Sequence, residues 1–160
     1  MSTVIYKPIS GFNKSQQSHL LTFIKQMERK TFPTNEALDF DQEIKKRNTT
    51  LILGTIATGR IAEPVAYLVY VRMGKLALLH KICVLETYRR QGVARAMLTN
   101  LCDQLANHGC ETIQLWVDQD RDPTRRLYSD LGFEEAQCLK DYYALGRTGI
   151  RMVLALDKRS

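Results

Sequence analysis

Apolar positions change their period several times along the chain, and each change predicts an element. TVIYKPI (3–9) reads as a first strand, and HLLTFIKQM (19–27) places Leu20, Phe23, Ile24 and Met27 at helix spacing. Phe32-Pro33-Thr34 breaks that pattern. A second helix is predicted over 35–46, with Ala37, Phe40 and Ile44 on one side. TTLILGTIA (49–57), PVAYLVYVR (64–72) and LALLHKICVL (76–85) are runs rich in apolar, β-branched and aromatic residues. Turn signals at Thr58-Gly59 and Met73-Gly74-Lys75 make them a three-stranded meander.

The strongest helix pattern covers 91–108. Ala94, Met97, Leu98, Leu101 and Leu105 share a face, and Gly109 stops it. ETIQLWV (111–117) alternates Ile113, Leu115 and Val117 to one side of a strand. Asp122 and Pro123 read as N-cap and first helical residue for TRRLYSDL, which Gly132 ends. FEEAQCLKD and GIRMVLAL predict a closing antiparallel pair. The resulting order, β-αα-βββ-α-β-α-ββ, is an α/β (α+β) fold. It has a mixed, mostly antiparallel seven-stranded sheet and four helices, with one parallel crossover after Val84.

The length of 160 residues predicts a single domain, 1–160. No run approaches a membrane span, and MSTVIYKPIS lacks the apolar core of a signal peptide. A cytoplasmic or nuclear protein is the expectation, with no membrane partner. Cys83, Cys102, Cys110 and Cys138 have neither CxxC spacing nor a paired His, so reduced thiols and no metal are expected. The formal net charge of +6 suits an anionic cofactor. No Lys/Arg tract interleaves with aromatics, so nucleic acid is not expected.

Charge gathers at one hinge. ETYRRQGVARAML (86–98) joins a strand to a helix and places Arg89, Arg90 and Gly92 where the helix begins. A helix N-terminus has unpaired N–H groups and a partial positive charge. Gly92 lets an anion approach the backbone, Ala94 keeps the next turn narrow, and the arginines add charge. The hinge reads as a diphosphate site; by itself it could also be a turn with surface arginines.

RRQGVA after ICVL, followed by VARAMLTNL, resembles the Arg/Gln-x-x-Gly-x-Gly/Ala signature of the GNAT superfamily of N-acetyltransferases. RDPTRRLYSDLGF (121–133) resembles their second signature, Asn-x-Ala-x-x-Leu-Tyr-x-x-x-Gly-Phe, and the element order agrees throughout. The resemblance implies acetyl-CoA as donor. It implies that the amides of Gln91, Gly92, Val93, Ala94 and Arg95 hold the pyrophosphate. It also implies that the backbone of the Ile82, Cys83 and Val84 stretch pairs with the pantetheine arm as an added strand. Arg125 is carried over as a cofactor contact. Asp122 stands where the family often has Asn, beside the cofactor, or it only caps its helix.

Acetyl transfer needs a neutral amine, a donor for the developing oxyanion and a proton for the leaving thiolate. The resemblance implies Tyr128 as acid; by spacing alone it is a core tyrosine. His80, where arylalkylamine and amino-sugar acetyltransferases often carry His or Glu, is the candidate base, or a strand histidine without chemical duty. His19 has no comparable support, and His108 suits a helix's last turn. Glu86 follows the strand and is expected to face solvent. The ribosomal-protein-acetylating branch has a glutamate base where this chain has Trp116, which either lines the acceptor pocket or covers a sheet face.

Two stretches bear on the acceptor. KDYYALGRTGIRM (140–152) resembles the last hairpin of protein N-terminal acetyltransferases, where Tyr142 and Tyr143 would grip a peptide start; paired tyrosines also shield sheet edges. Those enzymes often follow with an acidic residue where this chain has Arg147-Thr148-Gly149. TFPTNEALDFD (31–41) resembles the acceptor wall of both N-terminal and arylalkylamine branches, making Phe32 and Pro33 candidates under either. Glu36 either attracts a cationic amine or favours a helix start. The expectation is an amine N-acetyltransferase acting by direct attack, with a protein or peptide N-terminus as first acceptor and a small alkyl- or arylalkylamine as second. A non-catalytic acyl-CoA-binding module is the third reading. Monomer and homodimer both remain open.

Overall fold

In the computed structural model, residues 3–32 and 38–156 are described. A seven-stranded sheet has the order β1-β2-β3-β4-β5-β7-β6. Its strands are β1 (Ile5–Pro8), β2 (Thr49–Thr58), β3 (Ile61–Met73), β4 (Leu76–Val84), β5 (Thr112–Asp118), β6 (Glu134–Ala144) and β7 (Arg147–Ala155). The helices are α1 (Lys14–Thr31), α2 (Phe40–Glu43), α3 (Val93–Asn107) and α4 (Asp122–Asp130). The pairs β1 with β2, β5 with β7 and β6 with β7 are antiparallel, and β4 with β5 is parallel. The seven strands, four helices and parallel crossover expected from the residue pattern are all present.

The chain clusters into two compact units. Met1–Tyr70 with Lys81–Met97 forms one, and Val71–His80 with Leu98–Ser160 forms the other. In the first unit Leu20, Ile24 and Met27 of α1 pack with Leu51, Leu53, Tyr67, Val69 and Cys83 of the strands and with Phe40 of α2. Burial of each such leucine or isoleucine contributes roughly 1.5–3 kcal/mol. In the second unit Leu98, Leu101 and Leu105 are buried on α3, and Ile113, Leu115 and Val117 on β5. Of the eight residues that spacing assigned to these two faces, Met97 is buried as well and Ala94 is half-buried.

Boundaries differ in instructive ways. α1 begins five residues before its apolar pattern, because Asn13 and Gln16 form a reciprocal capping box: Asn13 Oδ1 accepts from the Gln16 amide at 2.8 Å, and Gln16 Oε1 accepts from the Asn13 amide at 3.2 Å. α2 is shorter than the expected 35–46. Asp39 caps it through the Gln42 amide at 3.3 Å, so α2 starts at Phe40. Ala37 and the rest of 33–37 lie outside them. In α4 the N-cap is Arg121, and Asp122 and Pro123 are already helical. Asp122 therefore does not cap the helix; it makes a 3.7 Å ion pair with Arg125 one turn on.

Candidate active site

In the second unit, the parallel register of β4 with β5 runs from Leu76 opposite Thr112 to Leu79 opposite Leu115. β4 continues to Val84, so Ile82, Cys83 and Val84 lie past the last β5 partner in that register. The Leu85 amide donates to the Val65 carbonyl at 2.7 Å, which ties the end of this stretch to β3. A short 3-10 turn, Glu86–Tyr88, follows, and Glu86 is exposed there as expected. Arg89 Nε then donates back to the Val84 carbonyl at 2.9 Å, and Gln91 Nε2 to the Thr87 carbonyl at 3.1 Å. These two side chains hold the hinge from behind.

At the hinge itself Arg90 has φ 62° and Gly92 has φ 79°. Two left-handed residues so close together turn backbone amides toward one side, the arrangement that binds anions. Arg90 holds a conformation that costs a residue with a Cβ roughly 1–2 kcal/mol, and backbone strain of this kind clusters at functional sites. A Cβ on Gly92 would meet nothing within 4 Å, so glycine serves the backbone angle and leaves open space beside it. The Ala96 amide donates to the Gly92 carbonyl at 3.0 Å, so α3 starts its ladder there. The amides of Val93 and Ala94 lie in the first turn of α3, before any carbonyl of that helix can reach them. Arg89, Arg90 and Arg95 are exposed around this turn. Helix terminus, open glycine and cations together fit a diphosphate.

Phe32 caps the C-terminal end of α1 and carries the Lys81 ammonium 3.7 Å from its ring centre. Lys81 in turn donates to Oε1 of Glu28, a carboxylate sealed in the core. Glu28 also accepts from Tyr67 Oη at 2.6 Å and from the Leu38 amide at 3.3 Å. Burial first, then the neighbouring Cys83 and Glu28, push the Tyr67 phenol far up. Burial likewise raises the Cys83 thiol, whose Sγ lies 3.7 Å from Thr31 Oγ1. Sequence reasoning missed Glu28 and Lys81; only a charged residue inside an apolar helix face hinted at the first. Pro33 and Glu36 lie outside the described residues.

In the second unit, Tyr128 is buried in α4, with its ring centre 5.6 Å from that of Phe133. Its phenol is raised, by burial first and then by Tyr143, with Arg121 pulling the other way. Tyr128 and Tyr143 are thus electrostatic neighbours. Trp116 stacks on Tyr142 with ring centres 4.1 Å apart and planes 9° from parallel, and Tyr142 meets Tyr143 edge-on at 4.9 Å. The fold therefore brings together Trp116, Tyr142, Tyr143 and Tyr128, which the sequence named separately.

The two tyrosines stand in a bulge. Along β6, 140–143 lie opposite only Thr148 of β7, and Asp141 has φ 58°. Asp141 Oδ1 accepts from the Gly146 amide at 2.6 Å and closes the loop. Bulges re-aim side chains, and this one presents consecutive aromatics on one patch. Asp118, missed in the sequence, accepts from Arg147 Nη2 at 2.8 Å and Nε at 3.1 Å, and Arg147 lies 5.3 Å from the centre of the Tyr143 ring. Burial pushes the Asp118 carboxyl up, but the Asp120 amide and Arg147 outweigh it and hold the group below its ordinary value.

His80 is exposed on β4, and its chain neighbour Lys81 is the residue that reaches Phe32. Arg125 donates to the Gln119 carbonyl at 2.9 Å and to Glu135 at 2.5 Å, so its described contacts brace α4 against β6. Among the described residues no group of three or more His, Cys, Asp or Glu side chains is arranged to hold a metal, and no helix is long and apolar enough to cross a membrane.

Residues 19–133 match the model of the acetyltransferase (GNAT) family. The chain is 40% identical over 67 residues to the [Ribosomal protein bS18]-alanine N-acetyltransferase of Escherichia coli strain K12, covering 42% of this chain and 45% of that protein. It is 36% identical over 76 residues to the N-alpha-acetyltransferase of Sulfurisphaera tokodaii, covering 47% and 46%. The chain thus spans less than half the length of each of these curated relatives. The crystal structure of Arabidopsis thaliana NAA60 in complex with acetyl-CoA superposes with a TM-score of 0.79 at 19% identity, over 96% of this chain and 99% of that one. That likeness is one of fold. With the signature hinge, the shared architecture and a family match over most of its length, the chain belongs to the acetyltransferase (GNAT) family.

Proposed function

We propose that this protein transfers an acetyl group from acetyl-CoA to an amine by direct attack, with a protein or peptide N-terminal α-amine as acceptor. The observation that carries the reading is the left-handed turn at Arg90 and Gly92, opening onto the first amides of α3. The amides of Gln91, Gly92, Val93, Ala94 and Arg95 hold the diphosphate of the donor, with Arg89 and Arg90 adding charge. The backbone of 82–84, past the β5 register, takes the pantetheine arm. Asp122 and Arg125 remain proposed flanking contacts.

Acetyl-CoA supplies, when bound, an acetyl group activated as a thioester. Tyr128 keeps its phenolic proton on Oη through the neutral range, because burial raises it, and gives that proton to the departing sulfur. His80 accepts a proton from the acceptor ammonium, directly or through a water. For an α-amine with pKa near ~8, roughly a tenth is already neutral at pH 7, so a modest base suffices. Cys83 stays a thiol, which supports direct attack over an acyl-cysteine. Phe32 lines the wall for the first side chain, and Trp116, Tyr142 and Tyr143 orient the peptide.

A competition tests this. The protein is given acetyl-CoA, a mixed-sequence N-terminal peptide pool, polyamines and arylalkylamines, and products are read by mass spectrometry. Acetylated peptides are expected. Exclusive acetylation of the small amines would replace the acceptor, and binding of acetyl-CoA without any product would leave a non-catalytic module.

A further inference from the structure

The face of β5 opposite Ile113, Leu115 and Val117 carries Gln114, Trp116 and Asp118, because side chains alternate along a strand. β7 sets Arg151 directly opposite Trp116, and β6 sets Gln137 directly opposite Arg151. Directly paired residues share a face, so Gln114, Trp116, Arg151 and Gln137 form one patch, all of it within the second unit. Arg151 Nε donates to Gln137 Oε1 at 3.1 Å, and its Nη1 donates to Gln114 Oε1 at 3.4 Å. Two neutral carbonyls thus orient the guanidinium without cancelling its charge. Both glutamine amide nitrogens are left as donors, as are Nη2 and the second N–H of Nη1. Among the described residues these three side chains have no further polar partner, and Arg151 makes no ion pair. The carboxylates of this face lie elsewhere: Asp118 is held by Arg147, and Glu134 stands opposite Val153. The strip therefore offers N–H groups and one positive charge, while its side-chain oxygens are already engaged.

We propose that Gln114, Arg151 and Gln137 form a carboxylate-binding subsite beside the stack of Trp116 and Tyr142. The occupant is a carboxylate of the acceptor chain, on a side chain or at its terminus, and this assignment rests on the peptide reading given above. Arg151 meets the carboxylate end-on through Nη1 and Nη2, a two-point, charge-assisted contact. The glutamine amides donate from either side. Trp116 supplies apolar surface next to the ion, and Tyr142, stacked on it at 4.1 Å, holds that ring. Flanking glutamines suit this task where flanking acids would not, because a resident carboxylate would occupy the guanidinium in the ligand's place.

Trp116 is the chain's single tryptophan, so intrinsic tryptophan fluorescence reports on this patch. The test uses the protein without acetyl-CoA and three N-acetylated peptides as probes: acetyl-Leu-Glu amide, acetyl-Leu-Gln amide, and acetyl-Leu-Gln with a free carboxyl terminus. Binding is read by fluorescence and by titration calorimetry. At least one carboxylate peptide is expected to bind about tenfold tighter than the neutral amide, with the difference shrinking as salt rises. Tighter binding of the first assigns a side-chain source, and tighter binding of the third a terminal one. Arg151→Met leaves the Gln114 and Gln137 carbonyls where water reaches them, so the variant is expected to stay folded by circular dichroism. It is expected to bind all three peptides equally. Equal binding of the three by the wild type, binding of none, or a preference that survives in Arg151→Met overturns the subsite. No acetyl group moves in these measurements, so that result leaves the acetyltransferase reading standing; failure of the function shows instead in the competition for acetyl-CoA.

Discussion

At the scale of the residue, the proposed chemistry divides between a proton donor that must stay protonated and a turn that must stay open. Tyr128 makes no side-chain hydrogen bond that its removal would strand among the contacts described for α4, so Tyr128→Phe is expected to keep the fold. Its kcat is expected to drop about a hundredfold while acetyl-CoA affinity holds. Thermal melting, ligand titration and initial rates on one preparation separate these effects. Equal rates for variant and wild type would remove Tyr128 as the acid. His80→Gln is expected to lower kcat and to change the shape of its pH profile, so a profile unchanged in shape argues against His80. Gly92→Ala forces a Cβ into a left-handed position and is expected to cost about 1 kcal/mol of stability. Because that Cβ enters the open side of the turn, acetyl-CoA affinity is expected to fall about tenfold, about 1.4 kcal/mol.

At the scale of the element, the β6 bulge and the end of α1 decide what the strands and helix present. A Cβ at Gly149 would stand 2.7 Å from the Tyr142 ring, so Gly149→Ala must push that ring off Trp116. The expected outcome is a several-fold higher peptide KM with acetyl-CoA binding unchanged; equal KM values would show that the stack plays no part in peptide binding. Acid and alkali act on different elements. Tyr67 and Tyr128 both titrate above the unfolded value of ~10. Their contribution to stability is complete below pH ~10 and is lost as the pH climbs above it. Asp118 titrates below the unfolded value of ~3.9, so its contribution is present above that pH and fades as the pH falls. Denaturant midpoints measured from pH 3 to 11 should decline at both ends, and Tyr67→Phe should flatten the alkaline limb.

Apolar spacing made the strands and α3 legible, because a buried face must repeat at the period of its element. It could not show that α1 starts at Lys14, since 14–18 is polar and only the Asn13 and Gln16 box marks the start. Nor could it show the bulge, whose cause is an Asp141 in a conformation that asparagine or glycine more often adopts. The signature hinge was readable because a cofactor turn is local in sequence. Glu28 with Lys81, and Asp118 with Arg147, lie 53 and 29 residues apart, and nothing local announces either pair.

At the scale of the whole molecule, the family match covers the proposed donor-binding turn, whereas the proposed acceptor residues of β6 lie beyond residue 133. Donor and fold therefore follow from shared ancestry more firmly than acceptor does, because specificity resides in the segments that differ between relatives. A buried ion pair broken on one side should cost far more than a surface one. Glu28→Ala is expected to lower unfolding free energy by about 3 kcal/mol or more, read by denaturant titration. The most direct check of the central claim is the position of the acetyl group on a single product. A peptide with one free α-amine and one lysine side chain is incubated with the protein and acetyl-CoA, then sequenced by tandem mass spectrometry. Acetyl on the α-nitrogen alone is the predicted result; acetyl on the lysine alone, or no acetylated peptide at all, would contradict it.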